Sequence, residues 1–449
     1  MKVAGIIAEY NPFHNGHKYH LEKARECTDA DYCVVIMSGN FTQRGECAVI
    51  DKYARAEMAL ACGADLVLEL PVCYASASAP YFALGAVSIL DSLGVVDELV
   101  FGSECGDTAF LETAARILAK EPDAYTAFLK SNLKSGLSYP AAQSKALFDY
   151  ISQSYSGIPA ASPFAEPLSG GLFSSSNDIL GIEYCKSLLL RKSAVRPHAI
   201  LRSGSRYTDD TLARQTTDSS SAKPSVKDSS APVSGSETAN AHSSALAVRT
   251  ALRSGSLADI ASHVPESALR LMQDAYGKTF PVFPHMLSSM LHYKLLSEAE
   301  CGFTDYLDVS RELSDRICNR LPDYTDFPSF CMLLKTKELT YTRISRSLLH
   351  ILLNIRNSDI DLYSQFNHAA YARILGFRKE SAGLLTAVKA NASIPMISKL
   401  ADAERYLEGA PLMQLRQDTR AAHLYNAFIM QQYKTKLPPE ARRQIIRFP

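Results

Sequence analysis

The sequence predicts an α/β fold on a parallel sheet, followed by a mostly helical C-terminal part. From Lys2 to Phe101, short apolar runs rich in branched residues alternate with helical patterns, and the connections between them are short. This alternation is typical of parallel strands joined by helices. Beyond Ser256, leucine-rich helical segments are separated by turns such as the one over 321–323.

Each predicted element of the N-terminal part is a short run of one periodicity. Short apolar runs predict strands over 2–10, 31–37, 65–70, 98–101 and 198–201. Helical spacing predicts helices over 17–26, 52–62, 81–93 and 179–190, and a helical region over 118–162. Because ligands of such sheets bind beyond the carboxyl ends of the strands, we expect the site in the loops after Ile7, Met37, Leu70 and Phe101.

The length and charge of the chain limit its organisation. A chain of 449 residues is long enough for two or three domains, and we predict one over 1–255 and a second over 256–449. A Ser-rich segment over about 208–242 has almost no large apolar residues, which predicts a flexible insertion. Lys+Arg and Asp+Glu both number 47. This balance argues against a protein that wraps nucleic acid nonspecifically, but it permits a local basic patch.

Three further features concern the cellular compartment and metal binding. The N-terminus lacks the pattern of a signal peptide. The longest uncharged stretch, over 70–90, contains two prolines, and we therefore exclude a membrane span. The ten cysteines form no Cys-x-x-Cys pair, so neither a zinc ribbon nor a redox motif is indicated, and we assign no metal ligands. We therefore expect a cytoplasmic protein with no membrane association.

Two histidines directly follow the first predicted strand, in Asn11-Pro12-Phe13-His14-Asn15-Gly16-His17. The N-terminus of a helix attracts phosphate through its backbone N–H groups and its dipole. Imidazole donors beside it could contact phosphates and stabilise the charge that develops in nucleotidyl transfer. From the residues alone, helix-capping histidines and a metal site are the alternatives. The position after the opening strand favours a nucleotide site.

A second polar loop runs from Met37 to Glu46. Gly39 and Gly45 bracket two amide side chains and Arg44, a composition suited to holding a carboxylate or a phosphate. An exposed surface turn is the alternative interpretation of this loop.

Together these motifs resemble a known family. The strand, the two-histidine loop and the helix are similar to the HIGH-type nucleotidyltransferase superfamily. With Asp51-Lys52-Tyr53-Ala54-Arg55, Leu68-Glu69-Leu70-Pro71 and Phe101-Gly102-Ser103-Glu104, the chain resembles the bacterial tRNA(Met) cytidine acetate ligase family over most of its length. The resemblance implies a Rossmann-like parallel-sheet nucleotidyltransferase domain followed by an α-helical C-terminal domain that contacts tRNA.

The resemblance also implies an activity. ATP, with Mg²⁺ as its usual cation, would activate acetate as acetyl-adenylate. The acetyl group would then pass to N4 of the wobble cytidine of elongator tRNA(Met). The alternatives are an adenylyltransferase that acts on a small metabolite without RNA, and a tRNA-binding protein with a vestigial ATP pocket.

The family's functional positions can be transferred residue by residue. His14 and His17 are the expected catalytic residues. The expected ATP-binding residues are Ile7, Ala8, Glu9, Tyr10, Asn11, Pro12, Phe13, His14, Asn15, Gly16, His17, Lys18, Tyr19, His20, Gly102, Asn177 and Arg202. Residues 243–249 resemble the Ser-x-Thr-x-Ile-Arg stretch whose arginine reaches the leaving phosphates, although Leu246 replaces the usual hydroxyl residue. Arg249 would be that arginine.

A basic segment of the C-terminal part is the expected tRNA contact. Its cations are Lys335, Lys337, Arg343 and Arg346. Arg343, Arg346 and His350 have the spacing of one helical stripe, which predicts a phosphate-contacting face. A solvated helix face is the alternative.

Overall fold

The computed structural model describes residues 1–137, 139–154, 175–202, 212 and 243–449. This part of the chain is organised around one eight-stranded sheet, in the order β5-β4-β1-β2-β3-β6-β7, with β8 beside β6. The strands are β1 (Val3–Ala8), β2 (Tyr32–Ser38), β3 (Leu66–Leu70), β4 (Glu98–Ser103), β5 (Arg196–Leu201), β6 (Ala372–Arg378), β7 (Met396–Ile397) and β8 (Ile446–Phe448). The five predicted N-terminal strands are confirmed.

Helices cover both faces of this sheet. They are α1 (Asn15–Thr28), α2 (Lys52–Ala61), α3 (Val72–Ala75), α4 (Ala79–Ser92), α5 (Thr108–Lys120), α6 (Asp123–Lys134), α7 (Tyr139–Ser154), α8 (Ser176–Arg191), α9 (Ala245–Ser254), α10 (Glu266–Ala275), α11 (Ser288–Glu298), α12 (Arg311–Arg320), α13 (Phe327–Leu334), α14 (Tyr341–Leu353), α15 (Asn357–Ser364), α16 (Ala382–Asn391) and α17 (Gly409–Tyr433). None of the helices in the described ranges is long and apolar enough to cross a bilayer.

The strands β1 to β5 are parallel, and their side chains alternate between two apolar layers. Ile6 lies opposite Val35 of β2 on one side and Val100 of β4 on the other. Cys33 and Val35 belong to the layer that also holds α1 and α2, whereas Val34 and Ile36 belong to the opposite layer. Burial on both faces explains why these strands appear as continuous apolar runs in the sequence.

The C-terminal part is mostly helical, as predicted, but it also supplies three strands to the same sheet. β6 pairs antiparallel with β3, with Leu66 opposite Phe377. β7 and β8 then add to β6 in parallel. These three strands were not predicted, because they are short and isolated among helical segments. The sheet is therefore mixed rather than wholly parallel.

The carboxyl ends of β1, β2, β4 and β5 meet at one edge of the sheet because these strands are parallel. The loops after them and the first turns of α1 and α8 gather at this edge. The predicted Ser-rich insertion lies outside the described residues, except for Leu212.

Candidate active site

A cavity of about 500 Å³ lies at the carboxyl edge of the strands. We call it the main cavity. Thirteen of the residues expected to bind ATP line it, namely Ile7, Ala8, Glu9, Tyr10, Asn11, His14, Gly16, His17, Tyr19, His20, Gly102, Asn177 and Arg202. The remaining four, Pro12, Phe13, Asn15 and Lys18, are not among its lining residues. The cavity therefore brings together residues from four separate parts of the chain, namely the segment 7–20, β4, α8 and the end of β5.

Main-chain hydrogen bonds fix the orientation of the two histidines at the start of α1. The Nδ1 atom of His14 accepts from the N–H of Gly16 at 3.1 Å, and the Nδ1 atom of His17 accepts from the N–H of His14 at 3.2 Å. A neutral ring that accepts at Nδ1 carries its proton on Nε2. Burial, and then the neighbouring charges of His14, His20 and Arg202, lower the pKa of His17 well below its usual value. His17 is therefore a neutral Nε2–H donor.

The backbone N–H groups in the first turn of α1 are already engaged. Gly16 donates to the His14 ring, Asn15 donates to the carbonyl of His263 at 3.0 Å, and His17 donates to the carbonyl of His14 at 2.9 Å. The expectation of free backbone donors at this turn is therefore wrong. A phosphate at this turn would instead meet the ring N–H groups and the positive end of the helix dipole.

The buried Arg55 holds two strand ends together at the cavity. Its guanidinium donates to the carbonyl oxygens of Glu9, at 2.6 Å, and of Ser38, at 3.0 Å, and it also bonds the carbonyl of Gly39. Four hydrogen bonds to main-chain carbonyls, including one to Ile50, satisfy this charge without a carboxylate. The motif residue Arg55 thus fixes the spacing between the loops after β1 and β2.

The loop after β2 packs against helix α14 at Gly45. Gly45 has a φ of +75°, and a Cβ atom there would lie 2.3 Å from the backbone nitrogen of Arg346. The hydroxyl of Ser345 donates to the carbonyl of Gly45 at 2.9 Å. Gln43 and Arg44, the two loop residues directly before Gly45, line the main cavity. The polar loop is therefore part of the site and is supported by the C-terminal part of the chain.

Glu104 connects two of the predicted ATP-binding residues. Its carboxylate accepts a hydrogen bond from the side-chain amide of Asn177 at 2.6 Å and lies 3.7 Å from Nε of Arg202. The hydroxyl of Ser175, which is the N-cap of α8, also bonds it. A Cβ atom at Gly102 would lie 3.1 Å from Cγ of Arg202, so this glycine leaves room for the arginine side chain. The motif over 101–104 thus positions both residues.

The charge of the cavity wall is strongly positive. Four arginines line it, Arg44, Arg202, Arg249 and Arg346, whereas Glu9 is the one carboxylate among its described lining residues. Arg249 is held in place by a hydrogen bond from its Nη1 to the carbonyl of Asn11 at 2.6 Å. Burial raises the pKa of Glu9, although the N–H of Gln43 and the nearby arginines oppose this shift. Such a wall is suited to a polyanion.

The apolar part of the wall was not predicted from the sequence. It includes Phe82, Phe101, Leu180, Tyr184 and Ile200. These side chains occur in ordinary strand and helix patterns, and no local signal distinguishes them from core residues. They suit the flat, apolar faces of a nucleobase.

The predicted tRNA-contacting residues divide into two groups. Lys335 and Lys337 are exposed, and Arg343 is half-buried in the first turn of α14. Arg346 instead lines the main cavity and donates from Nε to Asp308 at 3.1 Å. Their contact with RNA stays a prediction.

The predicted stripe is wrong at His350, which is fully buried. Its ring nitrogens lie 2.9 and 3.0 Å from the carbonyl oxygens of Leu307 and Ser76. The sequence spacing placed it on the exposed side because α14 was assumed to have one buried face. In the structure α14 packs against α11 and α13 as well as the loop after β2, and the side chain of His350 lies inside.

The fold, the cavity and the paired histidines define a HIGH-type nucleotidyltransferase. The family model described as HIGH Nucleotidyl Transferase matches residues 1–231 and 224–439. The tRNA(Met) cytidine acetate ligase of Acetivibrio thermocellus is 36% identical over 427 residues, which cover 95% of this chain and 94% of that protein. The ligase of the same name from Thermosipho melanesiensis is 34% identical and covers 99% of both chains.

Solved structures agree with these relatives. The crystal structure of Thermotoga maritima TmcAL in its apo form I superposes with a TM-score of 0.86 at 32% identity, over 100% of both chains. The form II structure of that protein, bound with alpha-thio ATP, superposes with a TM-score of 0.84. The present chain therefore belongs to the tRNA(Met) cytidine acetate ligase family.

Proposed function

We propose that the protein activates acetate with ATP and transfers the acetyl group to N4 of the wobble cytidine of elongator tRNA(Met). The proposal rests first on the relatives named as tRNA(Met) cytidine acetate ligases, which match nearly the whole chain. It is supported by the main cavity, where the two histidines, Asn177 and four arginines surround one space.

In the first step, a carboxylate oxygen of acetate attacks the α-phosphorus of ATP. The bond between that phosphorus and the bridging oxygen breaks, and pyrophosphate leaves with the electron pair. The Nε2–H groups of His14 and His17 and the arginines of the cavity wall would stabilise the negative charge that develops on the phosphate oxygens. We assign Asn177 and Arg202, both held by Glu104, to binding of the nucleotide.

In the second step, the exocyclic amine of cytosine attacks the acetyl carbon of the mixed anhydride. A nitrogen–carbon bond forms, the bond from the acetyl carbon to the phosphate oxygen breaks, and AMP leaves with the electron pair. The amine loses one proton. Activation as an adenylate is required because this amine is a weak nucleophile.

The protein offers no dedicated site for a divalent cation in its described part. No group of three His, Cys, Asp or Glu side chains comes together there in a way that could hold a metal ion. Mg²⁺ usually keeps several water ligands and binds to the phosphates of the substrate. It would therefore enter the site together with ATP.

We propose that the part of the chain after residue 255 contacts the tRNA. The exposed Lys335 and Lys337, together with Arg343, form a cationic rim beside the start of α14. Cations on such a rim attract the phosphate backbone of RNA.

The test is transfer of label from ¹⁴C-acetate to bulk bacterial tRNA, with and without ATP, followed by mass spectrometry of the nucleosides. We expect ATP-dependent N4-acetylcytidine, which His17→Ala abolishes. Acetate-dependent release of pyrophosphate without labelled tRNA would retain the activation step and reject the RNA acceptor. If neither signal arises from a folded protein that binds ATP, a metabolite adenylyltransferase replaces the proposal.

A further inference from the structure

A second cavity, of about 560 Å³, adjoins the main cavity. Arg44 and Arg249 line both cavities, so they form a shared wall. A group that occupies the second cavity can therefore approach the contents of the first across these two side chains. The volume is within the range of sites that hold a small molecule or a single nucleotide unit.

The second cavity combines cations with flat rings. Arg253 lies with its guanidinium carbon 5.6 Å from the centre of the Phe283 ring. The rings of Phe283 and His285 are 6.2 Å apart and inclined by 27°. Tyr341, the first residue of α14, completes the aromatic part of the wall. Sites for single-stranded RNA use this combination, because bases stack on aromatic rings and guanidinium planes while cations hold the backbone.

One carboxylate, Glu46, lines this otherwise cationic cavity. Among the described residues, no hydrogen bond or ion pair involves the Glu46 carboxylate, and both this carboxylate and the guanidinium of Arg253 lie near enough to Tyr341 to act on its hydroxyl. A glutamate accepts hydrogen bonds from the exocyclic amine of cytosine in nucleic-acid recognition. A uracil offers no such donor at this position.

We propose that the second cavity binds the cytidine that receives the acetyl group, with its base stacked beside Phe283 and its exocyclic amine hydrogen-bonded to Glu46. This inference rests on the proposed function. Glu46 accepts one proton of the amine as the nitrogen–carbon bond forms, and AMP leaves from the acetyl carbon with the electron pair of the broken bond. The carboxylate thus performs both base selection and proton removal.

The surroundings of the cavity support an RNA occupant. Tyr341 directly follows the segment that contains the exposed Lys335 and Lys337. A backbone leaving the second cavity past Tyr341, at the start of α14, would therefore continue onto this cationic rim. A free anion such as pyrophosphate would use the arginines but would have no use for the ring of Phe283 or the carboxylate of Glu46.

The test separates the two half-reactions in the full-length protein. Acetate-dependent exchange between ATP and labelled pyrophosphate reports activation, and labelling of an elongator tRNA(Met) transcript by ¹⁴C-acetate reports transfer. The variants are Arg253→Gln, Phe283→Leu and Glu46→Gln, whose residues line the second cavity but not the main one. We expect Arg253→Gln and Phe283→Leu to lower transfer by about tenfold or more, the size of effect that loss of one base-stacking contact gives. Glu46→Gln should lower transfer by about 10²-fold or more, as loss of a general base does. Exchange should stay within about twofold of the parent value.

Arg270→Gln is the matched control, because Arg270 is exposed on α10 and lines neither cavity. This variant should change neither pyrophosphate exchange nor labelling of tRNA. Glu46→Gln keeps an acceptor for the amine but cannot take up its proton. The fall in transfer by this variant should therefore appear in kcat rather than in KM for tRNA. Phe283→Leu should instead raise KM for tRNA.

Two outcomes would overturn the inference. Normal transfer in all three variants would mean that the cytidine binds elsewhere. An equal fall in exchange and transfer would assign the second cavity to the activation step. If the unsubstituted protein exchanges pyrophosphate but labels no tRNA, the proposed function itself fails, which is a distinguishable result.

Discussion

The imidazole rings of His14 and His17 stack with their centres 3.7 Å apart and their planes inclined by 25°. Both rings accept a main-chain hydrogen bond at Nδ1, so they form a reciprocal cap at the start of α1. The cap uses Nδ1 of each ring, whereas the proposed chemistry uses Nε2. This separation allows the two roles to be tested independently.

We predict that His17→Asn retains the cap but loses the Nε2–H donor. The asparagine side-chain oxygen can accept from the N–H of His14, so stability should change little. Acetate-dependent pyrophosphate exchange should fall by about 10²–10³-fold, as expected when one donor to a developing oxyanion is removed. His198→Asn, on β5 and outside the main cavity, is the control. Normal exchange in His17→Asn would contradict the catalytic role.

The carboxylate of Glu104 should matter for ATP binding although it does not line the main cavity. Glu104→Ala removes the acceptor that holds Asn177 and the negative charge beside Arg202. We expect KM for ATP to rise by about tenfold, because the side chains lose their fixed positions. Glu104→Gln keeps an acceptor for Asn177 and should show a smaller rise. Steady-state exchange kinetics at varied ATP concentrations give KM for the parent and for the two variants. Equal KM values in these three proteins would mean that Glu104 does not position the ATP-binding side chains.

A buried ion-pair network of Glu440, Lys52 and Arg373 connects the C-terminal end of the chain to the N-terminal part. Glu440 lies 2.6 Å from Nζ of Lys52 and 2.7 Å from Nη2 of Arg373, and all three side chains are almost fully buried. We predict that Glu440→Gln lowers the free energy of unfolding by about 3 kcal/mol, because it leaves buried cations short of a partner. Glu404→Gln removes an exposed pair with Arg416 and should cost about 0.5 kcal/mol or less. Urea unfolding measures the free energy of unfolding of both variants. Similar decreases in Glu440→Gln and Glu404→Gln would contradict the prediction.

The same network predicts a dependence of stability on acid. Although burial raises the pKa of Glu440, Lys52 and Arg373 outweigh it and lower this pKa to about 2, from a usual value of 4.5. The depressed pKa contributes stability that is fully present above about pH 4.5 and is lost as the pH falls towards 2. In urea unfolding between pH 6 and pH 3, the difference between the parent and Glu440→Gln should therefore shrink as the pH falls. A constant difference would refute this assignment.

Two glycines with similar backbone angles allow a matched test of the contact between the loop after β2 and α14. Gly45 and Gly277 have φ values of +75° and +70°, but only a Cβ at Gly45 would meet backbone atoms, while nothing lies within 4 Å at Gly277. Gly277→Ala should cost only the strain of a non-glycine residue at positive φ, about 1–2 kcal/mol. We expect Gly45→Ala to displace the loop from α14, lowering the melting temperature and pyrophosphate exchange more strongly. Equal effects would show that the packing is not needed.

Most of the N-terminal fold could be predicted because each element is short and has one clear periodicity. The apolar run that becomes β1 and the helix begun by the two histidines lie where the sequence analysis placed them. The antiparallel β6 could not be predicted. Its pairing with β3 joins residues that are far apart in sequence, and no local pattern encodes which strand edge a distant segment will cover.

The lining of the main cavity, which is the candidate site, was predictable only where a motif is continuous in sequence. The segment from Ile7 to His20 is such a motif, and most of it lines the main cavity. Arg346 was assigned to an outer face because helical spacing gives the angle of a side chain but not its neighbours. We assign roles to Glu104, Arg253 and Phe283 from their contacts with residues that are distant in sequence. Local sequence spacing does not predict such contacts.

The antiparallel pairing of β3 with β6 has a consequence during synthesis on the ribosome. The edge of β3 is made early, but its covering strand is made about 300 residues later, which takes about 15–60 s at the usual rates of elongation. Throughout that interval, an apolar strand edge has no partner and can pair with other chains. We therefore expect a fragment that ends before β6 to aggregate more readily than the full chain.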